Sequence, residues 1–276
     1  MFWNSHIPKI EKRIYRFHRG LSIMSVGGET GMLKIEFAYM THPGRIRKKN
    51  QDNLICIRDY LSLNHDRTEE PVTGTAGLSS PLLFGVFDGM GGEDHGEVAA
   101  YLAAKTAAGR EAADGKDLDL LCREMNSAVC RYAAEHHLRS TGTTASLLLF
   151  DKRGVTSCHI GDSRIYRWRD GVAEQLTKDD IWPYYQGKKA PLLQCLGIPE
   201  DEMRIRPHID WYPADPEAVY IICSDGLSDM IGQKQIAEAL SGNAGLKEKM
   251  QLLMDKALEQ GGRDNITIIL NRLENR

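Results

Sequence analysis

The sequence predicts an α+β fold in which strands and helices are layered rather than strictly alternated. Three observations carry this. Short apolar or alternating runs recur from Leu33 to Leu270, each bounded by Gly, Asp or Asn, as strands closed by turn residues are. Two long helical patterns stand side by side in the middle of the chain, and a third stands alone before the last strand. A chain of βαβ units would place a helix between successive strands instead.

The first element is a basic amphipathic segment over residues 1–31. Ile10, Ile14, Phe17, Leu21 and Met24 recur at spacings of three and four, and Pro8 stands where a helix can begin. Lys9, Lys12, Arg13, Arg16 and Arg19 face the single acid Glu11. Residues 8–24 therefore suit an acidic membrane surface or a partner groove, or packing on the chain's own domain. Strands are expected at Leu33–Met40, Leu54–Arg58 and Leu82–Phe87, with Asp59–Pro81, polar and rich in Gly, Pro and Thr, as a surface loop. Helices follow over Glu97–Ala113 and Leu118–His137, the second with Leu118, Leu121, Met125, Val129 and Tyr132 on one side. Strands then come at Thr144–Phe150, Val155–Ile160, Arg164–Trp168, Arg204–Asp210 and Val219–Cys223. A helix over Leu246–Gln260 and a strand over Ile266–Leu270 complete the chain. No linker or repeat divides residues 32–276, which read as one domain.

Composition narrows the function classes. A net charge of −3 over 276 residues gives no basic footprint for nucleic acid. Six scattered cysteines without a CxxC pair read as reduced thiols rather than a disulfide frame or a zinc site. With no apolar run of about 18 residues and no secretion signal, a cytoplasmic protein is expected.

Four segments place an aspartate at the end or start of an apolar strand beside turn residues. They are NQDNLICI with Asp52, LLFGVFDGMGG with Asp88, VYIICSDGLSD with Asp225 and GGRDNITIIL with Asp264. Taken singly, each is an ordinary turn. Together they imply carboxylates converging on one cleft, where their repulsion needs cations. Oxygen ligands without a His or Cys cluster suit Mn²⁺ or Mg²⁺, and two such ions can activate water against a phosphate ester. Arg47, five residues before Asp52, supplies the planar fork that holds a phosphate. A nucleotide-binding glycine loop is the rival for FDGMGG. It fails because Asp94 stands where the fingerprint needs Gly and no Gly-Lys-Ser/Thr follows.

From Ile35 to Leu270 the chain resembles the metal-dependent serine/threonine phosphatases of type 2C in their bacterial form. The resemblance rests on RKKNQDN, VFDGMGG with the following GE, TGTTAS, HIGDSRIYRWRDG, QLTKDD, LLQCLGI, IICSDGLSD and GGRDNITI in that order. It implies a four-layer α-β-β-α sandwich with two central antiparallel sheets, and hydrolysis of phosphoserine and phosphothreonine by a metal-bridging hydroxide. It also implies that Asp88 bridges two metals, that the Gly89 carbonyl binds one, that Asp225 and Asp264 complete the other, and that Asp52 acts through metal-bound water. Asp162 and Asp229 match the pair supporting a third metal, Arg47 the phosphate-binding arginine, and Asn265 a residue ordering the loop around Asp264. The implied partners are phosphoproteins, a serine/threonine kinase or its targets. Three departures stand out: Gln51 where many members have Glu, Met90 in place of a histidine, and a short flap over Lys178–Leu192. The Gln51 change is what a phosphoprotein-binding pseudophosphatase would show. The retention of Asp52, Asp88, Asp225 and Asp264 favours an active enzyme.

Overall fold

A computed structural model describes residues 33–90, 95–187 and 190–274. The basic segment over residues 1–31 lies outside the described residues. From Lys34 the chain runs β1 (Lys34–His42), β2 (Asn53–Cys56), β3 (Asp59–Tyr60), β4 (Val72–Gly77), β5 (Leu82–Phe87), α1 (Gly96–Ala108) and α2 (Gly115–Glu135). It continues as β6 (Ala145–Phe150), β7 (Gly154–Ile160), β8 (Arg164–Arg169), β9 (Val172–Gln175), β10 (His208–Pro213) and β11 (Val219–Cys223). The last elements are α3 (Asp225–Ser228), α4 (Gln233–Leu240), α5 (Leu246–Glu259) and β12 (Ile266–Glu274).

The strands sort into two antiparallel sheets of six, β4-β1-β12-β11-β8-β9 and β10-β7-β6-β5-β2-β3. Period-two alternation explains the layering. On β12, Ile266, Ile268 and Leu270 pack under α4 and α5 with Ile236, Leu240, Met250 and Leu253. Ile269 and Leu273, on the opposite face, enter the core between the sheets with Ile35, Leu54, Phe84, Phe150 and Tyr220. The second sheet turns Ile55, Phe87, Leu147 and Cys158 towards α1 and α2. Helix α1 buries Ala99, Ala100, Ala103, Ala104 and Ala107, small residues that let its backbone come close to the layer beneath. Asp114 caps α2, its carboxylate accepting from the N–H groups of Lys116 and Asp117 at 2.8 and 3.1 Å. This is the α-β-β-α sandwich.

Three expectations are corrected. Asp59–Pro81 is not simply a loop: it holds β3 and the edge strand β4, whose VTGTAG pairs with β1 from Lys34↔Gly77 to Tyr39↔Val72. A Cβ at Gly74 would lie 2.4 Å from the tip of the Phe37 ring, so any larger residue there would have to displace that ring. The strand expected at Arg204–Asp210 begins at His208 and runs to Pro213, since Pro207 has no N–H to give the ladder. Helix α1 also ends at Ala108, five residues short of the expected limit, and β9, α3 and α4 lie where no element was expected.

Candidate metal centre

The register of the sheets carries the aspartates to one end of the sandwich. Asn53 pairs with Phe87, so Asp52, just before β2, and Asp88, just after β5, leave the sheet side by side. Ala145 pairs with Ile160, which brings the β7–β8 turn with Asp162 to the same edge. In the other sheet Cys223 pairs with Ile268, placing Asp225 at the start of α3 near Asp264 ahead of β12.

Asp88, Asp162 and Asp225 each offer a carboxylate oxygen within 4.8 Å of the others. Three carboxylates this close repel one another unless a cation offsets them. The backbone around them is fixed. The N–H of Asp88 donates to Thr144 Oγ1 at 3.0 Å, and its carbonyl accepts from the Thr144 N–H and the Thr143 hydroxyl, both at 2.9 Å. A Cβ at Gly89 would stand 2.4 Å from the carbonyl oxygens of Gln51 and Gly96, so only glycine fits. Gly161, at φ +105°, turns the chain into Asp162. Asp180 brackets that glycine. Its N–H donates to the Gly161 carbonyl at 2.7 Å and its Oδ2 accepts the Gly161 N–H at 3.0 Å. Gln194 donates to the same oxygen, and His208 Nε2 lies 2.8 Å from Oδ1.

Asp52 sits behind this group, 1% exposed. Ser224 Oγ donates to its Oδ2 at 2.8 Å, and the Thr267 N–H donates to Ser224 Oγ at 2.9 Å. The hydroxyls of Thr267 and Thr41 lie 2.8 Å apart. Asn50 closes the ring, its amide donating to Thr41 at 2.7 Å while its Oδ1 accepts the Asp52 N–H at 3.2 Å. Asp52 Oδ1 has no hydrogen-bond partner among the described residues. Burial, reinforced by the charges of Asp225 and Asp264, outweighs the hydrogen bonding of the Ser224–Thr267 pair and pushes its pKa up to about 7. A buried carboxylate oxygen with no donor, beside three converging carboxylates, fits a cation centre of hard oxygen ligands.

Arg47 Nη2 donates to Asp264 Oδ2 at 2.7 Å. That bond chiefly raises the guanidinium pKa, with the charges of Asp225 and Asp88 adding to it. Asn265 ties the Arg47 loop down. Its Oδ1 accepts the Gln51 N–H at 2.8 Å, and its Nδ2 donates to the carbonyls of Pro43 and Lys49 at 3.0 and 2.9 Å. The Gln51 side chain donates to Glu97 at 3.2 Å, and Lys49 reaches the same carboxylate at 3.1 Å. Met90 packs on Gly142, where a Cβ would lie 2.7 Å from its sulfur. Asp229, which caps the C-terminal end of α3, is exposed and stands outside the Asp88–Asp162–Asp225 group. In the flap Ile181 bridges to Leu192, and Trp182, Tyr184 and Tyr185 are exposed. Thr41, Thr143, Thr144, Ser224, Thr267, Asp180 and Glu97 were not anticipated as parts of the site. Their only sequence signal is that most lie within a few positions of an aspartate motif or, for Thr143 and Thr144, in TGTTAS.

The family model described as Protein phosphatase 2C matches residues 63–271. The serine/threonine protein phosphatase PstP of Mycobacterium tuberculosis is 34% identical over 205 residues, 68% of this chain and 40% of that protein. The chain thus spans less than half the length of the curated relative it matches there. The serine/threonine phosphatase stp of Listeria innocua is 27% identical over 256 residues, 84% of this chain and 93% of its own length. Among solved structures, the Mycobacterium tuberculosis phosphatase PstP/Ppp superimposes with a TM-score of 0.71 at 28% identity, over 87% of this chain and 99% of that one. The PstP catalytic domain in complex with two manganese ions gives 0.70 at 28% identity, with the same coverage.

Proposed function

The chain belongs to the protein phosphatase 2C family, and from that premise we propose that residues 32–276 form a catalytic domain hydrolysing phosphoserine and phosphothreonine in proteins with Mn²⁺ or Mg²⁺. The observation that carries this is the convergence of Asp88, Asp162 and Asp225 within 4.8 Å, beside the Arg47–Asp264 pair. The manganese-bound relative supports the choice of cation.

Asp88, the Gly89 carbonyl, Asp225 and Asp264 would hold two core cations with Asp52 behind them, and Asp162, set against Asp88 and Asp225, would serve a third together with the more distant Asp229. When bound, the cations supply Lewis acidity, generating a nucleophile from water at neutral pH and offsetting charge on the phosphoryl oxygens. The rest is done by the chain's own side chains. Arg47 spends Nη2 on Asp264, which aims the fork and leaves its remaining donors for two phosphate oxygens. The Asn50–Thr41–Thr267–Ser224 ring keeps Asp52 from turning away, and Thr143 and Thr144 keep the Asp88 backbone in place. Such fixed positioning is what lets charge stabilisation favour the transition state without reorganisation.

The substrates we favour are a serine/threonine kinase or its targets. Residues 8–24 are assigned to a partner or membrane-surface contact. The scattered cysteines, five of them buried, support a cytoplasmic location, and no helix among the described residues is long and apolar enough to cross a membrane. The test is turnover of p-nitrophenyl phosphate and a phosphothreonine peptide with Mn²⁺, Mg²⁺ or EDTA, wild type beside Asp225→Ala. Metal-dependent turnover lost in the variant is expected. No turnover by folded protein with any metal would overturn the reading.

A further inference from the structure

Two loops far apart in the sequence, after β1 and before β12, meet at the rim of the metal centre, and both bring cations. The loop after β1 carries Arg45, Arg47, Lys48 and Lys49, all exposed, and the loop before β12 carries exposed Arg263 beside Asp264. Their apposition is built in. The Arg45 N–H donates to the Gly262 carbonyl at 2.7 Å, and Asn265 holds Pro43 and Lys49 from beneath. Gly44, at φ +79°, passes so close that a Cβ there would lie 2.2 Å from the Asp264 carbonyl oxygen. No side chain larger than hydrogen permits this contact, so the two sets of cations cannot drift apart.

The charges on this rim are unequally compensated. Arg47 is paired with Asp264 and Lys49 with Glu97. Arg45 Nε bonds the Leu258 carbonyl at the end of α5 at 2.9 Å, a helix end that favours a cation. Lys48 and Arg263 pair with no carboxylate among the described residues, although the whole chain carries a net charge of −3. An overall acidic protein with unpaired cations collected on two locked loops beside its phosphate-binding arginine presents a local field that attracts acidic chains.

We infer that this rim, through Lys48 and Arg263 flanking the Arg47–Asp264 pair, selects phosphoprotein segments in which carboxylates flank the phosphoresidue. The inference rests on the phosphatase reading of the same site. An extended substrate advances about 3.3–3.6 Å per residue, so Glu or Asp within one to three positions of the phosphoresidue falls within reach of these flexible side chains. Each such pair is solvent-exposed, worth up to a few-fold in affinity, and together two of them give on the order of tenfold. Screening over a Debye length of about 10 Å makes the preference salt-dependent.

The experiment compares kcat/KM for three phosphothreonine peptides of equal length, flanked by Glu, Ala or Lys, using the full chain with Mn²⁺. It is repeated with the Lys48→Ala/Arg263→Ala double variant, with p-nitrophenyl phosphate as the measure of basal turnover. The wild type is expected to prefer the Glu-flanked over the Lys-flanked peptide by about tenfold at about 50 mM salt, and much less at about 300 mM. In the double variant the preference should fall to near unity while basal turnover is kept. Equal kcat/KM for the two peptides in the wild type, or a preference that survives in the double variant, would overturn the inference. If basal turnover itself is absent, the phosphatase reading fails, and fluorescence anisotropy of the same labelled peptides still decides the rim. Tighter binding of the Glu-flanked peptide, abolished in the double variant, sustains it; equal binding removes it.

Discussion

Asp52→Asn in metal-free protein should raise stability at neutral pH while weakening the hold of the site on its cations. The folded-state pKa of Asp52 is about 7, against about 3.9 for an ordinary aspartate. Between these values the folded protein holds a proton that the unfolded chain has released. Stability must therefore fall as pH rises from about 4 to about 7 and level off above that. At about 1.36 kcal/mol per unit, three units bring the loss to on the order of 4 kcal/mol at pH 8. Asparagine mimics the neutral acid. Its carbonyl can accept the Ser224 hydroxyl, and its amide stands where Oδ1 now has no partner.

Urea unfolding in EDTA, followed by tryptophan fluorescence, measures the difference. Wild type and variant should coincide near pH 4 and diverge towards pH 8, the variant being more stable by about 2–4 kcal/mol. Saturating Mn²⁺ should then stabilise the wild type more than the variant, which keeps Asp88, Asp162 and Asp225. Parallel pH profiles for the two proteins in EDTA would refute the argument, because they would mean that Asp52 ionises in the fold without penalty.

Three further outcomes are expected. Asn265→Ala removes three hydrogen bonds to the Arg47 loop and should cost about 2–4 kcal/mol in urea unfolding, with KM for a phosphopeptide rising as Arg47 loses its seat. Gly226→Ala drives a Cβ to 2.0 Å from the Asn265 carbonyl oxygen; a melting point lowered by several degrees is expected, and an unchanged one would show that α3 moves freely. Saturating Mn²⁺ against EDTA should raise the melting point by about 5–10 °C, from about 2.7 kcal/mol at a hundredfold excess over Kd. In Asp88→Asn that increase should be sharply reduced.

How legible the site was depends on the scale of the information. Each aspartate was readable because its neighbours are local: an apolar strand on one side and turn residues on the other, as in VFDGMGG or IICSDG. The sandwich itself came from the resemblance, since the apolar runs gave layers without pairings. Strand β4 was hidden because Gly74, Ala76 and Gly77, poor strand formers, interrupt the β-branched Val72, Thr73 and Thr75. It forms because β1 offers a complete ladder and Phe37 fills the space above Gly74, a tertiary cause that overrides composition.

What could not be read is what connects distant positions. The ring behind Asp52 joins Thr41 to Thr267 across 226 residues, and no period in the chain encodes such a pairing. Asp180 shows the same limit: in QLTKDD it is one acid of two, and only the fold sets it on Gly161 with His208 behind it. Gln51 changes meaning for a related reason. From the motif alone its neutral amide is a lost carboxylate contact. In the fold the first turn of α1 brings Glu97 to that amide and to Lys49, so negative charge remains next to the position where the family's Glu would stand. The amide orients that carboxylate, while a second acid at position 51 would repel it. The substitution therefore reads as a rearranged charge next to the centre rather than as a charge removed, which is why it does not argue for an inactive protein.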